Sequence, residues 1–348
     1  MDLIHTLLNI VVPPTALFTL LCFFPPYLFF KFLLCTIKSV FSENVAGKVV
    51  LITGASSSIG EQLAYEYAKR GANLALVARR EESLHEVADR ARDLGSPDVT
   101  VICADVSKPE DCKRFVDETV RHFGRLDHLV NNAGINAISM FEECTDVNNF
   151  RPVMDVNFWG AVNSTHLAVP HLKESKGKIV VLASAGGWLP VPRMSFYNSS
   201  KAAVINFFEA LKMELSPDIG VTVVTPGFIE SEMTTGKFLT REGKLEVDQE
   251  LRDLQISAFP VGQAQDCAKA IVSSVCRGDN YVTQPSWFRV LYYWQVFFPE
   301  VLQWCFHFMY VTKPGSQREA LSKRIVDFTG AKYFLYPSSI QSSEIKQE

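Results

Sequence analysis

No two cysteines in this chain are spaced as C-x-x-C and no histidines gather at metal-ligand spacing, although eight cysteines stand at positions 22, 35, 103, 112, 144, 267, 276 and 305. Neither a structural zinc nor a disulfide framework is expected, and no metal is assigned. Most of the thiols lie in apolar stretches, where a free cysteine behaves as a small hydrophobe. Basic runs are missing too. Lys and Arg total 34 against 38 Asp and Glu, a net charge of −4, which excludes the electrostatic footprint of a nucleic-acid binder. What is present is an ordinary globular composition, 47% hydrophobic and 21% charged over 348 residues. That length suits about two domains at roughly 150 residues each, or one α/β domain of roughly 250 residues with appendages.

Charge is also absent from Thr6 to Phe30, a run rich in Leu, Val and Phe and long enough for a membrane span. A cleaved signal peptide wants a positive start and a small-residue cleavage site, whereas Asp2 leads here and Lys31 and Lys38 follow, so the segment is expected to be retained. Pro13-Pro14 and Pro25-Pro26 bracket ten residues, about 15 Å of helix. Each pair is expected to break or bend the helix. Two readings stay open: a hairpin dipping into the one-faced monolayer of a lipid droplet, or a kinked transmembrane helix in the endoplasmic reticulum. The basic residues put the main domain on the cytoplasmic side under either reading. Near the other end, Trp287 to Val311 carries three of the five tryptophans, with Arg289, Pro299 and Glu300 interrupting any clean span. It reads as core packing, as an apolar lid, or as a second lipid contact. The expected organisation is an anchor over 1–40, a nucleotide-binding domain over 45–284, an aromatic extension over 285–336 and a disordered polar tail over 337–348.

Between Val45 and Thr283, short β-rich apolar runs alternate with longer helical stretches, the mark of βα units on a parallel sheet. Strands are expected at Lys48 to Thr53, Asn73 to Ala78, Val99 to Ala104, Leu126 to Asn131, Lys178 to Ser184, Val221 to Thr225 and Tyr281 to Thr283. Helices are expected at Ile59 to Arg70, Lys108 to Phe123 and Phe196 to Leu215. The first strand runs into Gly54-Ala55-Ser56-Ser57-Ser58-Ile59-Gly60 and then a helix, a turn that delivers backbone amides to a pyrophosphate. After the second strand, where a carboxylate would receive the ribose hydroxyls of NAD, stand Ala78, Arg79 and Arg80. Guanidinium groups match a phosphate, which favours NADP(H); the alternative is that both arginines are solvated at a helix start.

These residues, with Asp105-Val106, Asn131-Asn132-Ala133-Gly134, Asn157, Ser184, Tyr197-x-x-x-Lys201 and Pro226-Gly227 in order, resemble the short-chain dehydrogenase/reductase family over roughly Gly47 to Thr283. The resemblance implies a Rossmann-type α/β fold, a doubly wound parallel seven-stranded sheet. It also implies that Asp105 contacts the adenine, that Asn131 holds the fourth strand, and that Pro226, Gly227 and Ser231 belong to the stretch closing over the nicotinamide. One departure is Ser58, where the family's phosphate turn has its middle glycine. Its side chain is expected either to crowd the pyrophosphate or to donate a hydrogen bond to it.

Tyr197 and Lys201 are four apart on an expected helix and share a face. An ammonium beside a phenol whose pKa is about 10 should lower that value and make Tyr197 a usable general acid or base. Ser184 can hydrogen-bond the substrate oxygen. The resemblance adds that Lys201 holds the nicotinamide ribose and that Asn157 relays protons to it through water. His166 and His171 are read as structural. Of two glycosylation sequons, Asn198-Ser199-Ser200 lies inside the catalytic helix, which favours a cytosolic domain. The double-proline anchor ahead of such a domain resembles the steroleosins, plant oil-body proteins similar to 11β- and 17β-hydroxysteroid dehydrogenases. That implies a sterol or steroid substrate, a lipid-droplet location reached through the endoplasmic reticulum membrane, and leaves a homodimer open. The competing class is a sterol-binding coat protein that has kept the fold and lost turnover.

Overall fold

In the computed structural model, residues 2–40, 42–313 and 320–341 are described. Seven strands, β1 (Val49–Thr53), β2 (Asn73–Ala78), β3 (Val99–Cys103), β4 (His128–Asn131), β5 (Lys178–Leu182), β6 (Gly220–Pro226) and β7 (Tyr281–Gln284), form one sheet in the order 3-2-1-4-5-6-7. Every neighbouring pair is parallel, with Val50 beside Leu74 and His128, and Lys178 beside Gly220. All seven strands stand where the residue pattern places them, with ends shifted by one or two residues.

A parallel sheet must be covered on both faces, and side chains alternate between them along each strand. Val50 and Ile52 point into one layer with Leu74, Leu76 and Val130, packed against α2 (Ser58–Ala68), α3 (Glu81–Asp93) and a helix further along the chain at Ala264–Arg277. Val49 and Leu51 point the other way with Ala75, Val77 and Ile179, under α4 (Pro109–Phe123), α5 (Gly160–Ser175) and α6 (Ser195–Leu215). The helix at Ala264–Arg277 is α7. His166 and His171 lie on α5, away from the cleft described below.

The edge where the strands begin carries a buried polar cluster. Glu43 donates its backbone amide to the Cys276 carbonyl at 2.9 Å, and its carboxylate meets Lys178 Nζ at 2.5 Å, Lys48 Nζ, and His128 Nε2 at 3.4 Å. The Tyr67 hydroxyl lies 3.1 Å from the other His128 nitrogen. Burial opposes charge on Glu43, but His128, Lys178 and Lys48 outweigh it and hold its carboxyl well below the usual range. Burial pushes His128 down, so it stays neutral. The chain leaving the N-terminal helix α1 (Asp2–Val40) is thereby fastened to the sheet.

α1 runs through all four prolines as one helix, so neither pair breaks it as a hairpin would require. Its Leu3–Leu34 stretch, with mean hydropathy 2.0 and none of the window buried, is long and apolar enough to cross a membrane. Where no protein packs on a segment and no water is at hand, the helix is the only conformation that pairs most backbone groups, and this outweighs a few missing amides. Thr15 and Thr19 hydroxyls also donate to carbonyls one turn back.

The aromatic segment folds as two short helices, α8 (Arg289–Phe297) and α9 (Pro299–Tyr310), split at Phe298 and Pro299. Nine and twelve residues are too short to span a bilayer. The expected disordered tail is ordered over its first part. Ser338–Gln341 is helical, Ile340 is buried, and its carbonyl accepts from Arg252 Nη1 at 2.7 Å, because an apolar isoleucine finds a place beside Tyr336, Ile256 and Val261. The rest of that tail, 342–348, lies outside the described residues. The seven cysteines whose side chains are described are free.

Candidate active site

Strand order reverses between β1 and β4, and the segments leaving the strands' C-terminal ends there splay apart to open a crevice, the usual seat of a nucleotide. A cavity of about 310 Å³ occupies it. Its walls include Gly54, Ser56, Ser57, Ser58 and Ile59 from the turn after β1, Arg79 and Arg80 after β2, and Asp105 and Val106 after β3. Asn132, Ala133 and Gly134 follow from β4, Ser184 from β5, Tyr197 and Lys201 from α6, and Pro226, Gly227 and Ser231 from the end of β6. Two expected residues do not line it, Gly60 and Asn157, and each supports a residue that does.

Gly60 packs under the turn, where an added Cβ would lie 2.1 Å from the Gly54 carbonyl oxygen and 2.4 Å from Asn132 Nδ2. Asn132 Nδ2 donates to the carbonyls of Thr53 and Gly54, and the Thr53 hydroxyl accepts from the amides of Asn132 and Ala133. The phosphate turn is thus stitched to the end of β4. Asn131 does hold its strand: Nδ2 donates to Thr165 Oγ1 and Oδ1 accepts from Ser164 Oγ, both at 2.8 Å.

Ser58 takes the left-handed conformation, φ +56°, that a glycine would adopt without strain. Its hydroxyl accepts from the Glu232 amide at 3.1 Å and is therefore turned to the loop after β6. Of the two arginines, Arg79 is exposed, whereas Arg80 is built into the wall, with Nη2 donating to Ser56 Oγ at 3.1 Å and Ser57 Oγ at 2.9 Å. A cradle of small residues, a helix start and a fixed guanidinium fit a dinucleotide.

Asn157 sits in a single π-helical turn, Asp155–Trp159, a distortion that often marks functional positions. Its Oδ1 accepts from the Ile135 amide at 2.8 Å and its Nδ2 donates to Ser200 Oγ at 2.9 Å, tying the β4 loop to α6. A Cβ on Gly134 would lie 3.2 Å from Asn157 Oδ1 and 3.4 Å from Lys201 Nζ, so both polar groups face the same glycine. Likewise Ser184 Oγ and Tyr197 Cε1 both face Gly186 at 3.5 Å from its built Cβ.

Tyr197 and Lys201 are 8% and 3% exposed. Lys201 Nζ donates to the Leu182 carbonyl at 2.9 Å and lies 5.8 Å from the Tyr197 ring centre. Burial pulls its pKa down to about 8. Burial also pushes the Tyr197 phenol up, with a hydrogen bond from Ser184 pulling the other way. The lowering expected from the ammonium alone is therefore not found, because removal of both groups from water works against both charges at once.

Residue patterns alone miss the rest of the wall. Leu189, Met194, Phe259, Leu291, Phe306 and Tyr310 extend the cavity into an apolar chamber beyond Tyr197. The aromatic cluster was a signal for the last three, whereas Leu189 and Met194 come from ordinary apolar sequence. Nothing in the spacing singled out Glu232 or Lys237.

A parallel α/β sheet whose crevice joins a dinucleotide cradle to a half-buried serine and a buried tyrosine and lysine defines a nicotinamide-dependent oxidoreductase. The chain belongs to the short-chain dehydrogenase family, which it matches over residues 48–242. It is 57% identical to an 11-beta-hydroxysteroid dehydrogenase A of Sesamum indicum and 55% identical to an 11-beta-hydroxysteroid dehydrogenase 1A of Arabidopsis thaliana, each over the whole of both chains. Among solved structures it is similar to a short-chain dehydrogenase/reductase from Burkholderia phymatum in complex with NAD, with TM-score 0.66 and 25% identity over 74% of this chain and 96% of that one. An alcohol dehydrogenase from Thermococcus sibiricus, complexed with 5-hydroxy-NADP, aligns with TM-score 0.56 and 25% identity, over 68% of this chain and 95% of that one.

Proposed function

We propose that the protein is an NADP(H)-dependent hydroxysteroid dehydrogenase or ketosteroid reductase held at a lipid-droplet surface, with its catalytic domain in the cytosol. The observation that carries this reading is one continuous cavity: it runs from Arg80 and the phosphate turn, past Ser184, Tyr197 and Lys201, into an apolar chamber. A rigid, apolar alcohol or ketone suits that chamber.

Gly54, Ser56, Ser57 and Ile59 would cradle the pyrophosphate, Asp105 and Val106 the adenine, and Arg79 and Arg80 a 2′-phosphate. Asn132, Ala133, Gly134, Pro226, Gly227 and Ser231 would flank the ribose and nicotinamide. When bound, the nicotinamide supplies or accepts the hydride. Ser184 donates a hydrogen bond to the substrate oxygen. Tyr197 gives that oxygen a proton in reduction and removes one in oxidation, work worth roughly 10²–10⁴-fold in rate. Lys201 stabilises the phenolate and holds the ribose, and Asn157 fixes the geometry behind it.

Two surfaces support the location. The apolar helix α1 has no protein covering it, and α8 and α9 turn Leu291, Phe306 and Tyr310 to the cavity while Trp294, Phe297, Trp304 and Phe308 stand exposed. Tryptophans so placed favour a lipid interface, so the aromatic pair serves as chamber wall on one face and lipid contact on the other.

The test is NADPH consumption by the full chain in lipid, with a panel of ketosteroids and the Tyr197→Phe variant alongside. Turnover with at least one ketosteroid, lost in the variant, is expected. Tight sterol binding without any turnover would favour the coat protein instead.

A further inference from the structure

Glu232 opens the short helix Glu232–Thr235, in the loop that follows β6. Its Oε1 accepts from Arg80 Nη1 at 2.6 Å, and its Oε2 lies 3.5 Å from Lys237 Nζ. All three side chains are mostly buried, at 14% exposure for Arg80, 23% for Glu232 and 14% for Lys237, and all three line the cavity. The Glu232 amide donates to Ser58 Oγ. One residue of the β6 loop therefore reaches across the crevice to the arginine after β2 and to the phosphate turn after β1.

Arg80 also donates to Ser56 and Ser57, so the carboxylate sits against the same guanidinium that faces the ribose end of the trough. The other charges lining that end are Arg79 and Asp105, the latter held through Oδ1 by the amide and hydroxyl of Ser107. We propose that Glu232 sets the coenzyme preference of this site: it occupies Arg80 with a negative charge and so limits how strongly a 2′-phosphate is favoured over a bare ribose.

The inference rests on the NADP(H) reading above and deepens it. A 2′-phosphate brought to Arg80 must share the guanidinium with a carboxylate of like charge, whereas a ribose hydroxyl carries no charge to be repelled. Specificity is a difference of two affinities, and Glu232 acts on one of them only. A loop-closing contact without this role would instead alter both coenzymes alike.

The experiment measures dissociation constants of NADPH and NADH by quenching of tryptophan fluorescence, on the full chain in detergent. Wild type is compared with Glu232→Gln, Glu232→Ser and Arg80→Ala, at low and high salt. Glu232→Gln is expected to tighten NADPH roughly fivefold and to leave NADH within about twofold, with a steeper loss of NADPH affinity as salt rises. Glu232→Ser repeats the test if the amide variant is poorly folded. Equal shifts for both coenzymes, or none, while Arg80→Ala still abolishes the NADPH preference, would overturn the role of Glu232 and leave the NADP(H) reading standing. A preference for NADPH that survives Arg80→Ala would remove Arg80, and with it Glu232, from the choice of coenzyme and leave the NADP(H) reading to Arg79; a wild type with no preference for NADPH would remove that reading itself.

Discussion

Replacing Lys201 by methionine keeps an unbranched side chain, one atom shorter, and deletes its charge, and the structure sets the size of the two effects that follow. The ammonium lies 5.8 Å from the Tyr197 ring centre. At an effective dielectric constant of about 20, that separation corresponds to about 3 kcal/mol between an ammonium and a phenolate, or about two pKa units. Oxidation of an alcohol needs the phenolate, so the rising limb of its pH profile should move up by about two units in Lys201→Met. Below the limb, kcat/KM should fall on the order of 100-fold. The assay is kcat/KM for a steroid alcohol at saturating NADP+ across pH, where the limb reports the tyrosine and lysine as a pair. Stability should move the other way. The native lysine is pulled from its ordinary 10.5 to about 8 by burial, so below pH 8 the folded protein carries a charge it would hold more cheaply unfolded. That corresponds to about 3 kcal/mol, less about 1 kcal/mol for the lost bond to Leu182, so the variant should be about 2 kcal/mol more stable at pH 7. Because the wild type gains stability as pH rises from 8 towards 10.5, the gap should close there. An unmoved pH limb, or a variant no more stable at neutral pH, would refute the coupling.

Glu43→Gln should destabilise the protein by about 2 kcal/mol at pH 7, since it leaves Lys178 and Lys48 without their carboxylate. The native carboxyl is held below its unfolded value, so this contribution exists above about pH 4.5 and is lost as pH falls; urea unfolding at pH 7 and pH 3 checks it, and an equal deficit at both would contradict it. Gly60→Ala forces a methyl group onto the Gly54 carbonyl, and NADPH affinity should drop at least about tenfold by overpacking of about 1–3 kcal/mol; calorimetric titration showing wild-type affinity would count against the cradle. Ser58→Gly relieves a left-handed serine by about 1 kcal/mol but gives up the bond to Glu232, so stability should change by less than about 1 kcal/mol and NADPH affinity by less than about threefold. A tenfold tightening would show that the serine does crowd the phosphates.

The sheet was legible because parallel strands buried on both faces read as unbroken runs such as Val49-Val50-Leu51-Ile52, and each run ends where a site residue begins. Local spacing also brought Tyr197 and Lys201 onto one helix face. It could not supply what depends on distant segments meeting. The partner of Ser58 is 174 residues away, and that separation hides whether its hydroxyl meets phosphate or protein. The sign of the Tyr197 shift was equally hidden, because proximity to an ammonium is visible in the spacing while depth of burial is not. The prolines of α1 misled about a break for a different reason: their local cost is real, but a few missing amides do not end a helix of 39 residues.

Glu43 is pinned where the strands start, and the chamber wall supplied by α8 and α9 stands where they finish. A strand of five residues is about 17 Å long, so tether and aromatic wall are at opposite ends of the sheet. For both to touch one oily layer, the domain must recline, with its strand axes running along the surface instead of standing upright on it.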